Sequence, residues 1–349
     1  MGDQMIRREL SKVAALSLAL SSGMAQAVPA IPGDAGWSGF LNIGVGAGSS
    51  ESNMLAGIGP ADLGDEQVSS LDQSPDDEDI VLPALQFQIA YTFSGMGTQL
   101  YLSNQVADHL NFDLDTTLET HFGVRQDFAE VGIVDFSLAA SALPTDVWKD
   151  PYLVDEDRGD TERTSNGLHI VWGNIFGSPF EFAWASREIE IDDERSGKEG
   201  ELGLTSKEQR SLRRGGDFDR VDLSYSWKIN DRHTLVPGIA YLDYDLDGAA
   251  MAEDGLLLQL KHSYEKNRWR VVSKVFYEDL ESDEANPIYN KERDVETIGG
   301  SVTAFYAKPF GLQDWSANAG VAYYEGDSNI DFYDSSFGLV SIGMLYRFD

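Results

Sequence analysis

The chain has 349 residues, 26 basic against 59 acidic side chains (formal charge −33), no cysteine and 42% apolar residues. That acidic balance argues against nucleic acid and against a basic headgroup-binding surface, and the lack of cysteine excludes thiolate catalysis and thiolate metal sites. The apolar share is too high for a disordered polyanion.

Arg7, Arg8 and Lys12 flank a short apolar run from Val13 to Leu20, and Ala25-Gln26-Ala27 has the A-x-A form of a cleavage site. These are the parts of a secretory signal peptide. The predicted division is residues 1–27 as signal and 28–349 as one membrane domain. No later stretch reaches the roughly 18 uninterrupted apolar residues of a membrane-spanning helix. An exported membrane protein built this way has to be a closed β-barrel.

Alternation supports that fold in chain order. Leu41, Ile43, Val45 and Ala47 oppose Asn42, Gly44, Gly46 and Gly48; then Leu85, Phe87, Ile89, Tyr91 and Phe93 oppose Gln86, Gln88, Ala90 and Thr92. Val221, Leu223, Tyr225 and Trp227 repeat the pattern, as do Trp315, Ala317, Ala319, Val321 and Tyr323. The last strand carries Val340, Ile342, Met344, Tyr346 and Phe348 on one face, the form of a barrel-assembly signal. Asp349 follows the aromatic, which in such strands is usually terminal. The fold class read from this is all-β, a transmembrane antiparallel up-and-down barrel of about 14 strands, with 12 as the alternative.

Connections alternate in length. Short ones fall near 94–97, 126–130, 174–179, 230–232, 266–267 and 308–314; long, acidic ones at 49–83, 104–116, 142–165, 188–217, 243–254, 279–294 and 325–335. Short turns face the periplasm and long loops the outside. Trp37, Trp172, Trp227, Trp269 and Trp315 then fall near periplasmic strand ends, and Tyr241, Tyr277 and Tyr323 near outer ends, as two interfacial girdles require.

Pro32-Gly33, Gly36–Phe40, Asn53–Gly57, Pro144–Trp148, Arg163–Leu168 and Asp192–Gly197 form a set of short motifs spread along the chain. Together they resemble an uncharacterised, domain-of-unknown-function family of outer-membrane barrels from marine Gram-negative bacteria. The resemblance covers nearly the whole mature chain and implies location and architecture, with no activity attached.

Alternation also assigns the lumen. Arg125, Arg187, Arg220, Lys228, Lys261, Arg270, Lys274 and Arg347 point inward, with Glu119, Asp135, Glu181, Asp222, Glu265 and Glu278. They would form ion pairs bracing the wall or a polar pore with local positive potential that favours anions. Gly44, Gly46, Gly299, Ser301, Thr303, Ser316, Asn318, Gly320, Ser341 and Gly343 make a smooth sector with room for a loop. The first loop, 49–83, holds nine acids and no Lys or Arg; it is expected to lean its carboxylates on the basic wall and narrow the bore.

Asp243, Asp245, Asp247 and Asp254 match the first, third, fifth and twelfth positions of a calcium loop, with Gly248 at the sixth. A bound Ca2+ is therefore one expectation, although acid-rich turns between strands are common. Enzyme signatures are absent: there is neither a phosphate-binding loop nor a G-x-S-x-G elbow, and Asp108-His109 with Asp113 and Asp115 is a weak protease match. His121 and His169 read as lumen hydrogen-bonding residues. The expected protein is a monomeric, non-enzymatic channel for small polar or anionic solutes, with outer-membrane lipid, lipopolysaccharide and assembly machinery as partners. The alternative is a closed barrel whose acidic loops bind cations, lipopolysaccharide or an outside protein.

Overall fold

The structure, a computed structural model, describes residues 28, 30–59, 61–106, 118–200 and 202–348. The signal segment, the Asp108–Asp115 group and Asp349 lie outside the described residues. Fourteen strands close an antiparallel barrel. They are β1 Gly36–Glu51, β2 Asp77–Phe93, β3 Thr98–Val106, β4 Leu118–Asp127, β5 Ile133–Leu143, β6 Asp160–Gly173 and β7 Phe180–Ile191. Then come β8 Gly216–Tyr225 with its continuation Trp227–Asn230, β9 His233–Leu246, β10 Glu253–Lys266 and β11 Trp269–Ser282. β12 Asp294–Ala307, β13 Trp315–Ser328 and β14 Ser335–Phe348 complete the wall. Each pairs with its chain neighbours, and β14 pairs with β1 over 13 positions from Gly39↔Phe348 to Glu51↔Ser336, so no open edge remains at the closure.

The two faces follow the sequence. Ile43, Val45, Ile89, Phe122, Leu223, Ile298, Val321, Val340 and Ile342 are exposed on the outer wall. This apolar band is framed by rings. Trp37 packs on Tyr91, Trp269 on Tyr306 and Trp315 on Tyr346 at centroid distances of 5.1, 4.8 and 5.1 Å, all at the periplasmic end. Tyr241, Tyr277 and Tyr323 stand exposed at the other end. A barrel with this surface is shaped for lipid, because strand backbones pair around the ring while apolar side chains face out.

The strands run further outward than the alternation marks. β2 begins at Asp77 and β9 ends at Leu246, so the first loop shrinks to residues 52–76 and the fifth to 247–252. Acidic residues at these strand ends broke the apolar pattern without breaking the ladder. One ladder is short. β2 and β3 pair only from Gln88↔Ser103 to Phe93↔Thr98, and beyond that point the Asn104 side chain takes the place of backbone. Its oxygen accepts from the Phe87 N–H at 2.6 Å and its amide donates to the Leu85 carbonyl at 2.7 Å.

Candidate functional site

The outer mouth is covered. Loop 1 turns inward and forms two short strands, Leu55–Ile58 and Ala61–Asp62; the first pairs with Thr145–Trp148 of the third loop. Leu55, Ile58, Ala61 and Leu63 pack against the inner wall at Ile80, Leu82, Tyr324, Phe337 and Leu339. The smooth sector predicts where the loop can sit: a Cβ on Gly299 would meet Tyr324 and Phe276, and one on Gly46 would meet Leu339. The inward fold is as expected, but its physics is not. Asp62, Glu66, Asp72, Asp76, Asp77 and Asp79 remain exposed, and the apolar side chains enter. An unpaired carboxylate resists desolvation, whereas each buried Leu or Ile contributes roughly 1.5–3 kcal/mol.

Above the plug, six loops share one apolar cluster. Met54 and Val68, Tyr152, Leu212, Ala250 and Met251, and Ile330, Phe332 and Tyr333 are all buried in it, with Ile288 and Tyr289 packed against them. Buried polar groups stitch the loops together. Arg158 donates to the Asn53 carbonyl at 2.8 Å and to that of Asp65, and stacks on Trp148 at 4.4 Å. The Asp150 carboxylate accepts from the N–H groups of Tyr152, Gly197 and Glu199 at 3.1, 2.9 and 2.8 Å. Glu253 pairs with Arg293, both 1% exposed, and Arg293 lies 4.6 Å over the Tyr333 ring. The stretches that carry the family resemblance, Asn53–Gly57, Pro144–Trp148 and Asp192–Gly197, converge in this cap.

Below the cap the lumen has two halves. From β3 to β8 it is filled by ion pairs. Arg125 meets Asp135 at 2.7 Å under Tyr101, whose hydroxyl donates to Asp135 at 2.6 Å. Arg187 meets Glu119 at 2.6 Å, and Arg220 grips Asp222 at 2.6 and 2.7 Å. His121 bridges Glu119 at 3.0 Å and Ser137 at 3.1 Å, a serine–histidine–acid line that sequence spacing did not reveal. Ser137 is 0% exposed, so the line is closed off within the wall. His169 packs edge-on to His121 at 5.9 Å.

From β10 through β14 to β1 the wall is open-textured. Gly44, Ser301, Ser316, Asn318, Gly320 and Gly343 keep part of their inward surface exposed. Lys261 and Lys274 sit opposite each other on adjacent strands here, both inward and half-buried. Asn318 donates to Asn42 at 2.8 Å and Asn42 to Gln86 at 3.3 Å, a neutral polar ladder across the closure. Arg270 pairs with Glu265 at 3.2 Å. Lys228 and Arg347 are exposed at the periplasmic rim, Lys228 paired with Asp231 at 3.2 Å, so they flank the bore instead of lining it.

The calcium-loop spacing is not realised as a loop. Asp243 and Asp245 lie on β9 and Asp254 on β10, where Asp243 is its cross-strand partner. Alternate residues of a strand are about 7 Å apart along one face, so the turning chain of a calcium loop is absent here. Asp254 instead accepts from the Tyr241 hydroxyl at 3.1 Å. Among the described residues, no group of three or more potential ligands is placed to hold a metal. The aspartates belong to an outward carboxylate belt above the tyrosine girdle, in which Asp219↔Asp243↔Asp254↔Glu281↔Asp294 face one another strand by strand.

The family model for a protein of unknown function, DUF2860, matches residues 36–347. No curated protein matches the chain. Among solved structures the chain is similar to a Pseudomonas aeruginosa FadL homologue at 12% identity, with 89% of this chain and 90% of that chain covered and a TM-score of 0.44. It is similar to a Ralstonia pickettii toluene transporter at 10% identity, over 90% of each chain, with a TM-score of 0.43. An anion-selective porin from Comamonas acidovorans gives 9% identity, 90% of this chain, 100% of that chain and a TM-score of 0.42. With the family model spanning almost every strand from β1 to β14, the chain belongs to the DUF2860 family.

Proposed function

We propose that this protein is an outer-membrane channel held closed at rest by its own outer loops, passing small polar solutes with a preference for anions when loop 1 withdraws. The observation that carries this is the divided lumen: one half is locked by ion pairs, while the other is lined by small residues and by the facing Lys261 and Lys274. Paired lysines in a narrow polar passage raise the local positive potential and favour anions. Arg125, Arg187 and Arg220 hold carboxylates at 2.6–2.7 Å and brace the wall. In planar bilayers, Lys261→Glu with Lys274→Glu is expected to reverse the reversal-potential sign from anion to cation preference. An unchanged reversal potential would remove the lysines from the permeation path.

A second reading rests on the outward carboxylates. Like charges directly opposite across strands destabilise a sheet, so the belt gains from divalent cations bridging it to lipopolysaccharide phosphates. Where the third loop meets loop 1 and β6, burial and the neighbouring Asp160, Glu162 and Asp62 push the Asp146 carboxyl up to about 6. The folded chain thus holds a proton that the unfolded chain has lost between about pH 4 and 6. The associated stability is present in full below that window and is lost as pH rises through about 6. Loop protection from protease is expected to increase from pH 7.5 to 5, and at pH 7.5 on adding Mg2+ over matched NaCl. Asp146→Asn should flatten the pH response; a wild-type response equal to that of Asp146→Asn would dismiss the role of Asp146.

A further inference from the structure

The first described residue, Val28, is far from where β1 begins. Its backbone nitrogen lies 2.7 Å from a carboxylate oxygen of Glu181, which points into the lumen near the periplasmic start of β7. Six strand-to-strand steps around the ring separate β1 from β7, close to half of a 14-stranded barrel. Strand spacing near 4.8 Å and a tilt near 40° make such a barrel roughly 28 Å across between backbones. The eight steps from Val28 to Gly36 reach at most about 26–29 Å. Residues 30–35 therefore have little slack on their way across the periplasmic mouth, and the extended path is one that Pro32 favours.

The far end has a prepared berth. Gly173, at the end of β6, is where a Cβ would come within 3.2 Å of the Val28 side chain and 3.3 Å of the Glu181 carboxylate. A Cβ there would require Val28 or Glu181 to give by a few tenths of an ångström, and a side chain as large as Leu would compete for the place of Val28. Val28 and Ile31 are half-buried, while Ala30 and Pro32 to Ala35 are exposed along the crossing.

We propose that export processing turns Val28 into a structural ion: cleavage before it places its α-ammonium on Glu181, and residues 28–35 become a strap across the periplasmic mouth. This rests on the reading of Ala25-Gln26-Ala27 as a cleavage site. In the step, water adds across the Ala27–Val28 peptide bond, leaving a carboxylate on Ala27 and an amine on Val28. An α-amine titrates near 7.7–8.0, so at neutral pH it takes up a proton and is mainly ammonium. The single amide donor at 2.7 Å becomes a three-proton cation, and charge-assisted bonds of this kind are about twice as strong as neutral ones. The uncleaved chain lacks that charge, so the strap would lock only after export is complete.

The test uses the mature protein in detergent or vesicles. Intact mass and the N-terminal peptide locate the cleavage, and a pulse of amine-acylating reagent at pH 7 measures reactivity of the terminal amine. We expect a chain starting at Val28 whose amine labels about tenfold more slowly when folded than in urea, equivalent to one unit of added amine basicity. Glu181→Gln and Gly173→Leu should each restore fast labelling, and heat-modified gel mobility shows whether each variant has folded. A chain starting at Val28 that labels as fast folded as unfolded would overturn the ion pair while leaving the cleavage reading intact. A different mature terminus would overturn both.

Discussion

Replacing residues 54–72 with a short Gly-Ser connector is expected to convert a mostly silent barrel into one that conducts steadily. The 16-position β1–β2 ladder, Gly36↔Thr92 to Glu51↔Asp77, lies outside the deletion, so the wall should stand. Met54, Leu55, Ile58 and Leu63 are between 0 and 3% exposed, and four such side chains contribute roughly 6–12 kcal/mol as an upper bound. Every 1.4 kcal/mol is a factor of ten in an equilibrium, so unaided withdrawal of the plug is expected to be rare and the closed state to dominate. Single-channel recording should show conductance several-fold above wild type with the long closed intervals gone. Deletion protein that folds but stays as silent as wild type would show that the ion-paired half of the lumen blocks passage by itself.

The second large effect concerns the cap. Glu253→Ala leaves Arg293 buried beneath Tyr333 without its carboxylate, and removing one partner of a buried pair costs about 3–5 kcal/mol. Tyr333 also bonds Tyr152 at 2.6 Å and Asn286 at 2.7 Å, so the loss should spread to the third, sixth and seventh loops. Limited proteolysis should cut those loops much faster, while gel mobility of the folded barrel stays unchanged. The double variant Glu253→Leu/Arg293→Met, which removes both charges, should recover most of the protection. Equal sensitivity of single and double variants would mean that the pair contributes only shape.

Much of this could be read from residue order. Period-two alternation exposes a lipid face and a lumen face directly, because a strand shows successive side chains to opposite sides. Strand number, turn positions and both girdles followed from that periodicity. It failed where a second constraint replaced lipid. Outside the bilayer β2 and β9 continue as Asp77–Asp79 and Asp243–Asp245, pairing backbone while facing water, so the apolar signal ends before the strand does. The calcium spacing belongs to a turning chain, whereas Asp243 and Asp245 lie on an extended strand.

The sequence by itself determined that the chain closes into a barrel, which residues face lipid, and that a small-residue sector leaves room inside. Only the tertiary structure decided what fills that room. Loop 1 carries both acids and apolar residues, and its own order does not say which will enter. The choice depends on the partners the ring supplies: Tyr324, Phe337 and Leu339 offer an apolar seat, while Arg125, Arg187 and Arg220 already hold carboxylates of the wall itself. Contacts between residues hundreds of positions apart, such as Asn53 with the Phe332 carbonyl at 3.1 Å, form only when the barrel closes and brings the loops over one mouth.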